Sequence, residues 1–228
     1  MKILVSWSSG KDAAWMLHAL READPGAVAG LLTTTNGAFD RVAMHGVRRT
    51  VLEAQAAAAQ LPLHVVPLPW PCSNDDYERL MRQAVAGFVR DGVTHVAFGD
   101  LFLDEVRQYR VDRLAGTGLT PLFPLWKTTD TRTLAETMID GGLRAGLATV
   151  DPRVLDPAFA GRAFDRALLA ELPPGVDPCG ENGEFHTCVW DGPMFTGPLP
   201  VVAGEVVTRD GFVFADLRLG PPDAPLLR

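Results

Sequence analysis

The sequence predicts an α/β protein: a doubly wound parallel sheet followed by a smaller, mixed α+β C-terminal domain. Three observations support this. Short apolar segments alternate with helical segments through the first 100 residues, which is typical of βαβ units. A Gly- and Pro-rich stretch interrupts the second half, and the chain then continues into two strand-like segments. We place the division between the two domains at residue 125, which gives residues 1–125 and 126–228.

Four strands and three helices alternate in the first domain. Apolar segments bounded by Gly, Ser or Pro predict the strands, whereas apolar side chains spaced three and four residues apart predict the helices. This alternation implies a parallel sheet with helices on both faces. We expect strands at residues 3–7, 28–32, 63–68 and 93–98, and helices at residues 11–22, 47–61 and 75–91.

The second domain is less regular. Eleven of the residues from 173 to 200 are Gly or Pro, which are rare inside helices and central strands. We therefore predict a long ordered loop or flap there. The Asp-Gly pair at residues 210 and 211 predicts a hairpin. The other expected elements are helices at residues 103–114, 131–140 and 162–171, and strands at residues 145–150, 201–208 and 212–217.

The composition disfavours several classes of function. Of the 228 residues, 47% are apolar, which excludes a disordered chain, and the net charge of −7 argues against nucleic-acid binding. The three cysteines are too few and too scattered for a disulfide framework or a paired zinc motif. No apolar run is long enough to span a membrane or form a signal peptide, so we expect a cytoplasmic protein without membrane contact. A homodimer is retained as one option.

A phosphate-binding turn is predicted where the first strand meets the first helix. The segment Ser8-Ser9-Gly10-Lys11-Asp12-Ala13 lets backbone N–H groups converge at the positive end of a helix dipole. The hydroxyls of Ser8 and Ser9 would donate to phosphate oxygens, and Lys11 would add a point charge. Asp12 would hold a Mg²⁺ ion that bridges the phosphates. Alternatively, it is an ordinary first-turn Asp whose negative charge is stabilised by the helix dipole. An ordinary tight turn is the alternative for the whole segment.

A second polar cluster lies inside the Gly- and Pro-rich stretch. In its functional interpretation, Glu181 or Glu184 orients an amine or Mg²⁺, and His186 is a general base or a hydrogen-bond donor. The structural alternative is a hydrogen-bonded turn. The candidate substrate-binding residues of this cluster are Glu181, Asn182, Glu184, His186 and Thr187.

Further polar residues follow the predicted strands, where an open parallel sheet binds its ligands. Ser6 belongs to the phosphate site. The backbone around Thr33 and Thr34 would contact adenine. Gly99 would allow close approach of the ribose or α-phosphate, with Asp100 beside it.

Two side chains outside these segments complete the candidate site. His45 precedes a predicted helix and would face the cleft, near the substrate. Arg107 and Arg110 either form a solvated helix face or include the cation, Arg110, that stabilises negative charge as pyrophosphate leaves.

The segment from Ser8 to Ala13 resembles the Ser-Gly-Gly-x-Asp-Ser signature of PP-loop ATP pyrophosphatases. The resemblance implies a HUP-like fold, ATP and Mg²⁺ as cofactors, and cleavage of ATP between its α and β phosphates. It also implies Lys11 and Asp12 as catalytic residues. Ser9 and Ala13 depart from the signature, and Ala13 removes one hydroxyl donor.

Motifs along nearly the whole chain resemble the diphthine–ammonia ligase family. The resemblance implies amidation of a carboxylate, that of diphthine on elongation factor two, with ATP and ammonia. Where those ligases read Gly-Glu-Gly-Gly-Glu-Tyr-Glu-Thr, this chain has Asn182, Phe185 and His186, and so resembles a shorter, bacterial branch. The motifs lie at residues 31–34, 45–48, 98–100, 107–110, 124–126, 179–187 and 191–193.

These observations together predict an ATP-dependent, AMP-forming ligase that adenylates a carboxylate and amidates it with ammonia. The carboxylate would belong to a small molecule or to a protein. An ATP-binding sensor without turnover is one alternative, favoured by Ala13. A PP-loop tRNA-modifying enzyme is the other, disfavoured by the acidic charge and by the absence of a Cys-x-x-Cys motif.

Overall fold

A computed structural model describes residues 1–221 and shows two sheets. Five parallel strands form the first sheet in the order β4-β2-β1-β5-β6, and the short β3 pairs antiparallel with the last two residues of β2. These strands are β1 (Ile3–Ser6), β2 (Val28–Asn36), β3 (Arg41–Val42), β4 (Leu63–Leu68), β5 (His95–Ala97) and β6 (Thr120–Leu122).

Helices cover both faces of this sheet. The apolar side chains of two helices join a large core that also contains the second sheet, whereas the other two helices pack over a smaller core on the opposite face. The first pair is α1 (Lys11–Ala23) and α2 (Arg49–Ala58), and the second pair is α3 (Asn74–Arg90) and α4 (Asp104–Leu114). The predicted doubly wound parallel architecture is confirmed.

The second sheet is antiparallel, with strand order β8-β7-β10-β9. It is built from β7 (Arg144–Val150), β8 (Phe185–Asp191), β9 (Val201–Arg209) and β10 (Phe212–Leu219), and it is accompanied by α5 (Thr131–Asp140) and α6 (Arg166–Glu171). All strands of the first sheet precede residue 123 and all strands of the second follow residue 143. The domain boundary at residue 125 stays a prediction, because one core cluster contains side chains from both sides of it.

The prediction of a loop across residues 173–200 is wrong in part. Strand β8 lies inside this stretch, at Phe185–Asp191, and pairs with β7. Every Gly and Pro of the stretch falls outside those seven residues, so the composition averaged over the stretch concealed an ordinary strand. Strand β2 also continues to Asn36, four residues beyond its predicted end, because β4 pairs with it over residues 31–36.

Two further strands were not expected as strands, β3 and β6, and each has only two or three residues. Segments this short carry too few side chains for a period-two pattern, so only their pairing partners define them. Within residues 1–221, no helix combines the length and the apolar character needed to cross a lipid bilayer.

An ion-pair cluster joins the C-terminal hairpin to the first sheet. The carboxylate of Asp216, on β10, accepts hydrogen bonds from Arg48 at 2.7 Å and from Arg41 at 3.0 Å. These hydrogen bonds outweigh the cost of burial and lower the pKa of Asp216 to about 2. The two parts of the chain are therefore connected by charge as well as by the shared core.

Replacing Asp216 with Asn should destabilise the protein at neutral pH. The folded pKa of Asp216 lies below that of an unfolded Asp, so its contribution is present above about pH 4 and is lost as pH falls toward 2. Because Arg48 is half exposed, we expect the variant to lose only about 1–2 kcal/mol of its free energy of unfolding, measured in urea at pH 7. The exposed Asp210→Asn variant is the control, and an equal loss in both variants at pH 7 would contradict the prediction.

Candidate active site at the phosphate loop

The candidate site lies at the carboxyl end of β1. From β1 the chain continues to β2 and β4 on one side, and β5 and β6 lie on the other, so the strand order reverses between β1 and β5. Ligands of open α/β sheets bind at such a reversal. A cavity of about 210 Å³ opens there, between the loop after β1, residues 98–100 after β5, and residues 179–187.

The loop after β1, where the sequence predicts a phosphate site, has a constrained conformation. Ser9 is fully buried with a φ of 69°, and Gly10 is the extended N-cap of α1. A Cβ at Gly10 would lie 3.3 Å from both His45 Cε1 and the carbonyl oxygen of Thr187. The loop is therefore held between the first sheet and β8, where a larger residue would have to displace one of them. We call residues 7–10 the phosphate loop.

Strand β8 holds the phosphate loop from the other side. The Val189 amide donates to the Ser9 carbonyl at 3.0 Å, and the Lys11 amide donates to Thr187 Oγ1 at 3.0 Å. One amide at the start of α1 is thus already satisfied by the second sheet. Thr187, predicted to bind substrate, caps α1 and also lines the cavity.

A buried glutamine completes this connection. The side chain of Gln55, on α2, accepts from the Trp7 indole at 3.0 Å and donates to the carbonyls of Ser9 at 3.2 Å and Val189 at 2.7 Å. It is fully buried. Sequence reasoning missed Gln55 because an isolated Gln in an Ala-rich helix is typical of an exposed face.

Lys11 is almost completely buried and lies beside the cavity. Its ammonium donates to both carboxylate oxygens of Asp12, at 2.8 and 3.0 Å, and to the carbonyl of Cys179. Burial alone would lower its pKa, but the negative charges around it, Asp12 first among them, raise it on balance. Lys11 is therefore a permanent cation that also ties α1 to residues 179–181.

Three carboxylates face the same cavity: Asp12, Asp100 and Glu181. Glu181 accepts from the Leu101 amide at 2.7 Å, yet burial, helped by the charges of Asp12 and Asp100, raises its pKa to about 7. Burial also raises the pKa of Asp100, and its Oδ2 has no hydrogen-bond partner among the described residues. The site therefore contains an acid that titrates near neutrality.

His45 and His186 meet on the wall of the cavity. Their rings are 4.4 Å apart between centroids, with planes inclined by 39°. Burial lowers the pKa of His186 to about 4, and burial together with the neighbouring His186 holds the pKa of His45 well below its usual range. Both imidazoles are therefore neutral at pH 7, and the Nδ1 of His45 has no partner in the described chain.

Arg110 lies at the edge of the cavity. Its guanidinium stacks 5.0 Å from the Phe98 ring, and its Nε lies 3.6 Å from the Asp100 carboxylate. Nε makes no hydrogen bond within residues 1–221. Arg107 instead lies over Phe123 and Trp126, away from the lining of this cavity. Of the two arginines, only Arg110 is placed to contact a ligand here.

Not all predicted site residues reach the cavity. Ser6, Ser8, Lys11, Asp12, His45, Gly99, Asp100, Arg110, Glu181, His186 and Thr187 line it. Ser9 and Gly10 form the phosphate loop behind it. The side chains of Thr33, Thr34, Asn182 and Glu184 are not among its lining residues.

Two of these exceptions have a structural role instead. Glu184 is buried, and one of its oxygens accepts from the Asp177 amide at 2.9 Å and from the Asn182 side chain at 3.0 Å. The two residues therefore organise the turn that presents Glu181. These hydrogen bonds are those of the structural alternative, the hydrogen-bonded turn, and the role of the two residues in substrate binding stays a prediction.

Gly99 also has a packing role. A Cβ at this position would lie 3.0 Å from the backbone carbon of Asp12 and 3.2 Å from the amide of Ala13. The glycine lets the end of β5 pack directly on the first turn of α1. It thereby sets the distance between the phosphate loop and Asp100.

No group of three or more His, Cys, Asp or Glu side chains among residues 1–221 is arranged to hold a metal ion by itself. Mg²⁺, however, is usually bound by one or two carboxylates together with substrate phosphates. Both oxygens of Asp12 are engaged by Lys11, whereas Oδ2 of Asp100 makes no hydrogen bond among the described residues and lies 3.6 Å from Arg110 Nε. The donor set thus fits Mg²⁺ as a partner of bound phosphates, with Asp100 better placed than the predicted Asp12.

Comparisons with known proteins match both sheets. A family model described as the diphthamide synthase C-terminal domain matches residues 130–216. A diphthine–ammonia ligase of Bos taurus is 27% identical over 94% of this chain and 88% of its own length. A diphthine–ammonia ligase of Danio rerio is 28% identical over 94% of this chain and 92% of its own length. The Homo sapiens protein of that name is 30% identical over 63% of this chain and 55% of its own length. The chain is thus similar over nearly its whole length to proteins named diphthine–ammonia ligase, and its C-terminal part matches the diphthamide synthase C-terminal domain.

Proposed function

We propose that this protein is an ATP-dependent, AMP-forming ligase that joins a carboxylate to ammonia. The observation that carries the proposal is that the phosphate loop and Glu181 face one cavity, although 170 residues separate them. A protein that only stored or sensed a nucleotide would not need a carboxyl group poised near neutral pH beside the phosphates. The same cavity therefore has features suited to both halves of an amide-forming reaction.

In the first half-reaction, a carboxylate oxygen of the acid bonds to the α-phosphorus of ATP and pyrophosphate leaves. The hydroxyls of Ser6 and Ser8 and the N-terminus of α1 would bind phosphate oxygens. Lys11 and Arg110 would stabilise the negative charge that passes to the leaving pyrophosphate. Mg²⁺ beside Asp100 would neutralise part of this charge when bound.

In the second half-reaction, the nitrogen of ammonia bonds to the acyl carbon and AMP leaves. The nitrogen must lose one proton as the C–N bond forms. Glu181, with a pKa of about 7, is about half ionised at pH 7 and more fully ionised above it, so it can accept that proton. The neutral rings of His45 and His186 add no positive charge to that of Lys11 and Arg110. We therefore assign Glu181 as the general base.

The direct test is the identity of the nucleotide product. Purified protein is incubated with [α-³²P]ATP, Mg²⁺ and a pool of carboxylic acids, with and without ammonium. Formation of AMP and pyrophosphate that increases with ammonium supports the proposal. Release of ADP, or tight ATP binding without turnover, contradicts it, and the latter would indicate a nucleotide sensor.

Replacing Glu181 with Gln should lower amide formation about 100-fold at pH 8, the typical loss of a general base. At constant free ammonia, the wild-type rate should rise with pH through about 7 and then level off, since only the ionised carboxylate accepts a proton. The variant should lose this rise. The exposed Glu205→Gln variant should keep the wild-type profile. If the pH–rate profile of Glu181→Gln kept its midpoint near pH 7, the titrating group would be a residue other than Glu181.

A further inference from the structure

A second cavity, of about 140 Å³, lies between α3 and α4. Its floor is apolar, with Met81, Val85 and Leu114 among the lining residues, and Tyr77, Phe98 and Tyr109 add three aromatic rings. Val85 is the only buried residue on the whole of α3, and Leu114 the only one on α4. The two helices therefore cover this face of the sheet incompletely, and we call the space between them the α3–α4 pocket.

The α3–α4 pocket adjoins the candidate active site. Phe98 and Arg110 line both cavities, so the two spaces are separated by one ring and one guanidinium. A molecule whose reactive end lies near Asp100 and the phosphate loop could extend its other end past Arg110 into the pocket. The pocket is thus positioned to take part of a substrate.

The charge of the pocket favours an anion. Arg82, Arg110 and Arg113 line it, and Glu78 is the sole acidic residue of the lining. Glu78 pairs with Arg113 and lies 3.9 Å from Arg82. Arg110 lies 3.6 Å from Asp100, which is outside the lining, and its Nε makes no hydrogen bond among the described residues. Three cations against one anion stand out in a chain whose net charge is −7.

Aromatic rings can also bind a quaternary ammonium group, but here two of the three rings already carry a guanidinium. The guanidinium of Arg110 stacks on Phe98 at 5.0 Å, and that of Arg113 stacks on Tyr109 at 5.1 Å. A cationic guest on Phe98 or Tyr109 would have to displace an arginine, and anywhere in the pocket it would meet the charge of three arginines. The lining therefore selects against cations.

We infer that the α3–α4 pocket binds the apolar body of the acid substrate, and that this substrate is a small monocarboxylic acid carrying one ring or a branched chain. The inference rests on the proposed function. An apolar cavity of about 150 Å³ holds a benzene molecule, so the volume suits one ring. The carboxylate of such an acid would lie beside Arg110, at the junction with the first cavity.

The test uses phenylacetate as probe, with acetate and phenyltrimethylammonium as comparison compounds. Binding is followed on protein labelled at the methionine methyl groups, in the absence of nucleotide. Phenylacetate should shift the Met81 signal and leave unchanged the signal of Met138, which is buried in the other core cluster. It should bind at least tenfold more tightly than either comparison compound. Equal binding of the cation, or no shift at Met81, would overturn the inference.

A second experiment fills the α3–α4 pocket by mutation and measures phenylacetate binding again. Met81→Trp places a large ring in the pocket, whereas Gln83→Trp places the same ring on the exposed face of α3. We expect Met81→Trp to weaken phenylacetate binding at least tenfold and Gln83→Trp to change it less than twofold. Equal effects of the two variants would overturn the inference. Because no step requires ATP, this result is separate from the outcome of the AMP assay.

Discussion

Replacing Lys11 with Met is expected to abolish AMP formation, with a loss of at least 100-fold in kcat, typical of removing a group that stabilises developing charge. Met keeps most of the aliphatic side chain but removes the one buried cation that faces Asp12, Glu181 and the Cys179 carbonyl. Without it, phosphates would approach a cavity lined by three carboxylates and only one cation, Arg110. Single-turnover conversion of ATP to AMP measures the loss.

We also expect the Lys11→Met variant to be less stable than the wild type and to have a changed pKa at Glu181. Removing one member of a buried ion pair costs about 3–5 kcal/mol, and the partial exposure of Asp12 places Lys11→Met near the lower end. Lys11 lowers the pKa of Glu181, so that pKa should rise above 7 in the variant. The control is Lys127→Met, which breaks an exposed ion pair with Asp104. If the Lys11→Met variant formed AMP at the wild-type rate, Lys11 would have no role in the reaction.

The fold was predictable wherever hydrophobic periodicity extended over a full element. Strand β1 and helices α1 and α3 lie within one residue of their expected bounds, because each combines a regular apolar pattern with a clear boundary signal. Strand β8 was missed because glycines and prolines flank it on both sides. Strand β6, only three residues long, has too few residues to show a pattern.

The candidate site was predictable in its local parts and not in its long-range ones. The phosphate loop is a contiguous motif, so its position at the end of β1 could be derived from spacing alone. The contact between Lys11 and Thr187 joins residues 176 positions apart, and no local pattern encodes it. Glu184 shows the converse: its residue type suggested chemistry, but its place behind the turn gives it a structural role.

Gln55 is the clearest case of a residue whose importance depends on tertiary structure alone, and Gln55→Leu should have the largest effect on stability. Leu preserves the shape but leaves the buried Trp7 indole N–H without its acceptor and removes one hydrogen bond each from the carbonyls of Ser9 and Val189. The Ser9 carbonyl keeps only the bond from the Val189 amide. Ser9 already adopts a φ of 69°, so its conformation depends on such contacts. An orphaned buried group costs about 1–3 kcal/mol and each further lost hydrogen bond about 0.5–1.5 kcal/mol, so we expect the free energy of unfolding in urea to fall by about 3–5 kcal/mol.

Loss of Gln55 should also loosen the phosphate loop, because the side chain is bonded to both the loop and β8. We therefore expect ATP affinity to fall at least tenfold at a temperature where the variant is still folded, measured by calorimetric titration. Gln83→Leu makes the same exchange on the exposed face of α3 and should leave stability and ATP affinity unchanged. If Gln55→Leu lost stability but bound ATP normally, Gln55 would support only the core, and the conformation of the phosphate loop would have to be maintained by β8 alone.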